Sequence, residues 1–147
     1  PAAWNDINGN IWDANWGDLA FEAANVSAST NLNDYFSYYD VAGINFAASK
    51  DWGNIGGYIQ LLDDAKYTWY GDCEWESRES YDDGYYEGAY DLYECNPNAV
   101  SAVIGVRPIS DPYAFLILIE MQLVTDADID AFGRVLSTFD VYEAYLP

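Results

Sequence analysis

The chain contains two cysteines, Cys73 and Cys95, and they bracket the stretch that most restricts the fold. Residues 73–81 run Cys-Glu-Trp-Glu-Ser-Arg-Glu-Ser-Tyr, Asp82-Asp83-Gly84 signals a turn, and residues 85–95 run Tyr-Tyr-Glu-Gly-Ala-Tyr-Asp-Leu-Tyr-Glu-Cys. Two strand-like arms around an Asp-Gly pivot describe a hairpin. A register that sets Cys73 opposite Cys95 also sets Trp75 opposite Tyr93 and Arg78 opposite Tyr90, leaving residues 83–85 as the loop. It places Glu74 against Glu94 as well, an unfavourable pairing that implies a register slip or a screening cation. A disulfide here closes a loop worth about 3 kcal/mol in the chain-entropy model and persists only in an oxidising compartment. Two buried free thiols are the alternative.

The remaining residues are enough for one domain, 1–147, with a core of its own. Twenty-five acidic against five basic residues give a formal charge of −20, spread along the chain. That excludes nucleic acid and anionic membrane as natural partners, although solubility in high salt would select the same surface. The longest apolar run, residues 113–119, is strand-sized, so no membrane insertion is expected. The opening Pro1-Ala2-Ala3, without methionine, is expected of a mature or excised fragment and equally of a recombinant one.

Along the chain, Asn8-Gly9 between Trp4 and Trp12 signals a two-residue hairpin, and Trp16 follows. Asp6, Asn8 and Asn10 have the spacing that starts a calcium loop, but Ile11 and Gly17 stand where that loop needs glycine and glutamate. Asn25-Val26-Ser27 is a glycosylation sequon by pattern. Leu32, Tyr35, Phe36 and Tyr39 have helical spacing with Asn31 or Asn33 as cap, and residues 43–48 read as a strand. A helix from Asn54 to a stop at Gly71 carries the stripe Ile55, Ile59, Leu62, Ala65 and Trp69, with Gly56 and Gly57 weakening its first turn and implying a later start. Val100, Ala102, Ile104 and Val106 alternate as a strand, and residues 113–124 form a central strand covered on both faces. Thr125 caps a helix whose stripe is Ile129, Phe132, Leu136 and Phe139. The tail from Val141 to Pro147 is expected to add a short strand or to lie on a partner. Together these elements predict an α+β sandwich, one mostly antiparallel sheet with helices packed on one face.

The chain has no histidine, which removes Ser-His and Cys-His mechanisms and the commonest zinc ligand. No phosphate loop or dinucleotide fingerprint occurs, so no cofactor, metal or catalytic residue is assigned. Asp63-Asp64, Asp82-Asp83 and the group Asp126, Asp128 and Asp130 offer hard oxygens for calcium, but each reads more simply as helix surface, turn or helix cap. A carboxylate pair for glycoside hydrolysis stays open. Six Trp, fourteen Tyr and six Phe exceed what a core of this size absorbs. Trp75, Tyr81, Tyr85, Tyr86, Tyr90 and Tyr93 on the hairpin are therefore the candidate binding surface for a protein or a carbohydrate polymer, the alternative function being a subunit of an extracellular matrix or filament that self-associates through exposed strand edges and its apolar tail. Covering a second sheet face would occupy the same rings.

The acidic hairpin ending in Tyr93-Glu94-Cys95, the strand ending Val106-Arg107-Pro108, a second Leu- and Ile-rich strand and the closing segment from Asp128 to Phe139 resemble accessory domains of bacterial extracytoplasmic trypsin-like serine peptidases. The last strand and helix are also similar to PsbP-like α+β sandwiches. This resemblance spans about residues 44–141, and the tryptophan-rich N-terminal segment departs from it. It implies a non-enzymatic module, extracellular or in the cell envelope.

Overall fold

The protein is described by a computed structural model covering residues 4–16 and 19–147. Pro1-Ala2-Ala3, Gly17 and the side chains of Trp16 and Asn54 lie outside the described part. In chain order the elements are β1 (Asp6–Trp16), β2 (Leu19–Ser29), α1 (Leu32–Tyr35), β3 (Gly43–Ser49), α2 (Tyr58–Trp69), β4 (Glu74–Asp82), β5 (Tyr86–Asn96), β6 (Ala99–Pro108), β7 (Leu116–Leu123) and α3 (Asp126–Thr138). Short 3-10 turns occupy Asp51–Asn54 and Glu143–Tyr145. The strands form one antiparallel sheet in the order β1-β2-β3-β7-β6-β5-β4.

This corrects the expected α+β sandwich in two respects. Strand dominates: β1 and β2 are eleven residues each, whereas α1 is a single turn capped by Asn31. The helices also do not share a face. β7 is apolar at consecutive positions, and period-two alternation sends Leu116 and Leu118 to one side and Ile117, Ile119 and Met121 to the other. Each side needs its own cover. Leu61, Leu62 and Ala65 of α2 pack with Val103, Leu116 and Leu118 on the first face, and Phe132, Val135 and Leu136 of α3 pack with Ile104, Ile117 and Ile119 on the second. Each buried Leu or Ile side chain contributes about 1.5–3 kcal/mol. PsbP-like packing falls with the sandwich.

Of the local readings, the turn at Asn8-Gly9 and the added tail strand change, whereas the later helix start and the Thr125 cap hold. Asn8 and Gly9 are mid-strand in β1, facing Ser27 and Val26, and pairing continues to Trp16 opposite Leu19. α2 begins at Tyr58 because Gly56 and Gly57 hold φ of 109° and 104°, left-handed values that exclude a helix start at Asn54. Thr125 and Asp128 form a reciprocal capping box at α3. The tail adds no strand: Leu146 is buried, and Lys50 Nζ donates to its carbonyl at 3.1 Å.

The disulfide between Cys73 and Cys95 is present, with Cα atoms 4.4 Å apart. Glu74 faces Glu94 and Trp75 faces Tyr93, but the register slips between Trp75 and Ser77. Arg78 consequently faces Asp91 and not Tyr90. A one-residue slip moves a side chain to the other face of the sheet. Here it brings a guanidinium over a buried carboxylate: Nε and Nη2 of Arg78 donate to Asp91 at 2.7 and 2.8 Å.

Candidate functional site

The candidate site is a cleft of about 660 Å³ on the α2 side of the sheet, beyond the end of that helix. It arises because the residues on this face change character along each strand. On β7, Leu116 and Leu118 lie beneath α2, and the next two positions of the same face are Glu120 and Gln122. On β3, Ala47 gives way to Asn45, and on β2, Ala23 gives way to Asn25 and Ser27. The ladder aligns these changes: one row across all seven strands reads Arg78, Asp91, Val103, Glu120, Asn45, Ser27 and Asn8.

The floor is a hydrogen-bonded network. Glu120 Oε2 accepts from Asn45 Nδ2 and Oε1 from the Tyr70 hydroxyl, each at 2.9 Å. Asn45 Oδ1 accepts from Asn25 Nδ2 at 2.6 Å and from Ser27 Oγ at 2.9 Å. The Tyr35 hydroxyl donates to the Glu120 carbonyl at 3.0 Å, and Gln122 Nε2 donates to the Tyr35 carbonyl at 3.0 Å. Buried Gln122 Oε1 accepts nothing, and neither does Ser101 Oγ, which belongs to the residue across the β6–β7 pair. Loss of water pushes the Glu120 carboxyl above its ordinary range, against the opposing effect of the bonds from Asn45 and Tyr70. Burial, reinforced by the Glu120 charge, drives the Tyr35 and Tyr70 hydroxyls well above theirs and raises Tyr39 in the same way.

The walls are aromatic. Trp12 comes from β1, Tyr35 from α1, Phe36, Tyr38 and Tyr39 from the loop behind it, and Trp69 and Tyr70 from the end of α2. Trp12 and Trp69 lie 5.8 Å apart between ring centroids, and the Tyr39 hydroxyl ties that loop to α2 by donating to the Trp69 carbonyl at 2.7 Å. Gly43 gives Tyr35 its place: a Cβ there would stand 2.6 Å from the tyrosine ring and 2.9 Å from the Ala28 carbonyl. Asp13 also borders the cleft, but strand alternation from Trp12 turns its side chain to the other face of the hairpin.

The hairpin aromatics do not form one surface. Trp75 is 44% exposed with Lys66 Nζ 4.2 Å from its ring centroid, and Tyr85 is 79% exposed at the turn. Tyr81, Tyr86 and Tyr90 lie on the α3 side. The Tyr81 hydroxyl meets the Leu136 carbonyl and Asp83, that of buried Tyr86 donates to Asp140, and the Tyr90 ring packs on Phe132. Tyr93 is fully buried, its ring stacked 4.6 Å from that of Tyr70. It therefore backs the cleft wall from inside. The disulfide acts at the same place: Cys73 N donates to the Tyr70 carbonyl, so the bond to Cys95 fastens the end of α2 to β5.

The sequence reading did not single out Glu120, Gln122 or Asn45, and it marked Asn25 only as part of a glycosylation sequon. The signal was present, since Glu120 and Gln122 are the polar residues of an otherwise apolar strand and share its α2 face. Of the calcium candidates, Asp63 accepts from Arg78, Asp82 and Asp83 accept backbone N–H groups of their own turn, and Asp128 completes the α3 cap. Among the described residues no cluster of three metal-ligating side chains forms. Compared with protein-family models, curated proteins and solved structures, the chain finds no match.

Proposed function

We propose that this chain is a non-enzymatic binding module and that the cleft over Glu120 is its binding site. The observation that carries this is a cavity of ligand size in which aromatic walls converge on a carboxylate at the floor. Glycoside hydrolysis needs two carboxyl groups flanking one bond. Alternation along β1 assigns the second carboxylate bordering this cleft, Asp13, to the strand face opposite Trp12, which favours binding over reaction. The disulfide is consistent with an oxidising compartment, and no helix among the described residues is long and apolar enough to cross a membrane. An address outside the cytoplasm and an accessory role beside a peptidase belong to the same proposal.

Amide NMR spectra test the site: a ligand should shift resonances of Trp12, Tyr39, Trp69 and Tyr70, and shifts confined to the Trp75 and Tyr85 surface would move the site to the hairpin. Self-association is favoured by one observation, the edge strand β1 with Ile7 and Ile11 exposed. A monomer at millimolar concentration would exclude it.

A further inference from the structure

Resting on that reading of the cleft, we propose that its ligand is an organic cation, a primary ammonium on an alkyl stem, held by Glu120 as counter-ion and by the surrounding rings. The chain has five cationic side chains, and each is placed elsewhere. Lys50 reaches the tail, Lys66 covers Trp75, Arg78 and Arg107 pair with Asp91 and Glu87, and Arg134 is exposed on α3, across the sheet. Among the described residues Glu120 therefore has no counter-ion of its own, although a carboxylate partly withdrawn from water is costly without one.

The hydrogen-bond inventory points the same way. At the floor the hydroxyl protons of Tyr35, Tyr39 and Tyr70 are spent on protein acceptors, as are both amide protons of Asn25 and one each of Asn45 and Gln122. Acceptor sites outnumber the two amide protons that remain: the second lone pairs of the Glu120 oxygens and both of Gln122 Oε1. A sugar hydroxyl both donates and accepts, but an ammonium only donates, and it also gains from the faces of Tyr and Trp rings. Anions are repelled by a chain of charge −20, which draws cations toward the cleft. Calcium takes six to eight oxygens and needs no cavity of this size.

The test is titration of the folded, disulfide-bonded protein, followed by amide and indole NMR. The probes are 1,5-diaminopentane, Nα-acetyl-lysine amide, its uncharged norleucine counterpart, cellobiose, chitobiose and calcium chloride. Both amines should shift the Trp12 and Trp69 indole signals at pH 7.5, with dissociation constants on the order of millimolar, and norleucine should not. Tighter binding of the diamine marks a free amine as the natural source, and tighter binding of the lysine derivative marks a protein side chain. Glu120→Gln should weaken amines at least tenfold, and Tyr38→Ala, at an exposed ring of the wall, several-fold. Lowering the pH through the raised Glu120 value should weaken them too. The other groups facing Glu120 are Tyr35, Tyr39 and Tyr70, with Asp72 beside Tyr39, and the raised tyrosines stay protonated over that range. Equal amine binding by wild type and Glu120→Gln, or equal binding of lysine and norleucine derivatives, would overturn the proposal. Shifts in the cleft with a saccharide or calcium and none with amines would overturn the cation but keep the site. Silence of the cleft toward every probe would overturn both.

Discussion

Replacing Arg78 by methionine tests the pairing that the register slip creates. Asp91 has no exposed side-chain surface and accepts from Arg78 Nε at 2.7 Å and Nη2 at 2.8 Å. Its remaining donor after Arg78→Met is the Tyr93 hydroxyl at 2.9 Å. A buried charge stripped of its partner costs about 3–5 kcal/mol, a large share of the roughly 5–15 kcal/mol that holds a domain together. With a urea slope of about 2 kcal/mol/M, the midpoint should fall by roughly 2 M. Asp91→Asn should cost less, about 1–3 kcal/mol, because Arg78 keeps Asp63 at 2.8 Å and some access to water. The double variant Arg78→Met with Asp91→Leu should recover most of the loss, giving a coupling energy of about 2 kcal/mol or more in the cycle. The assay is equilibrium urea unfolding at pH 7, repeated in 1 M NaCl, which screens a surface pair far more than this one. A loss below about 1 kcal/mol for Arg78→Met, or a double variant as unstable as the sum of the singles, would refute the reasoning.

Reduction of Cys73–Cys95 should lower the melting temperature by roughly 10 °C, from about 3 kcal/mol of loop closure, and should loosen the Tyr70 side of the cleft; unchanged melting on addition of reductant would contradict this. Glu120→Gln should be at least as stable as wild type at pH 7. The native carboxyl binds its proton more tightly than the unfolded chain does, so the stability from the proton is complete below the unfolded value and lost as pH rises through the native one; a lower melting temperature for the variant at pH 7 would refute it. Burial pushes the Tyr86 hydroxyl up to about 12, so its contribution is intact below pH 10 and lost between about 10 and 12. Tyr86→Phe should be less stable at pH 8 by about 1 kcal/mol, through the bonds to Asp140 and Val141, and should lose less between pH 10 and 12; parallel alkaline transitions would argue against it.

What the sequence disclosed follows from how local each signal is. Cys73 and Cys95 close one hairpin, so alternation and a turn were enough to pair them, and Thr125 announces α3 because a capping box spans four residues. The bulge that turns Arg78 toward Asp91 is invisible in the pattern, because both arms alternate equally well in either register and the choice is made by the buried charge pair. Asn8-Gly9 suggested a turn because its local preference is strong, but in β1 both residues pair with β2. The cleft was hidden for a different reason. Asn45, Glu120 and Ser27 are far apart in sequence, and each looks like an ordinary interruption of its own strand until the ladder puts them in one row. Tyr93 reads as surface from the sequence because strand alternation fixes which residues share a face without saying what covers it, and α2 with Tyr70 covers that one.

Asp91 and Glu120 stand in the same row of the sheet, separated by Val103, and they are treated differently. The fold bulges β4 to bring an arginine to the first and leaves the second with an amide and a phenol as donors. A sequence this rich in acids has little reason to keep a partly buried carboxylate at a β7 position where Leu or Val would pack, since an apolar residue there would remove the charge. Local rules broken without a structural compensation are expected where a ligand supplies what is missing. The contrast within one row is therefore the strongest internal argument for a cation at Glu120: where the fold itself needs a buried acid neutralised it provides Arg78, and where it does not, the neutralising group comes from outside.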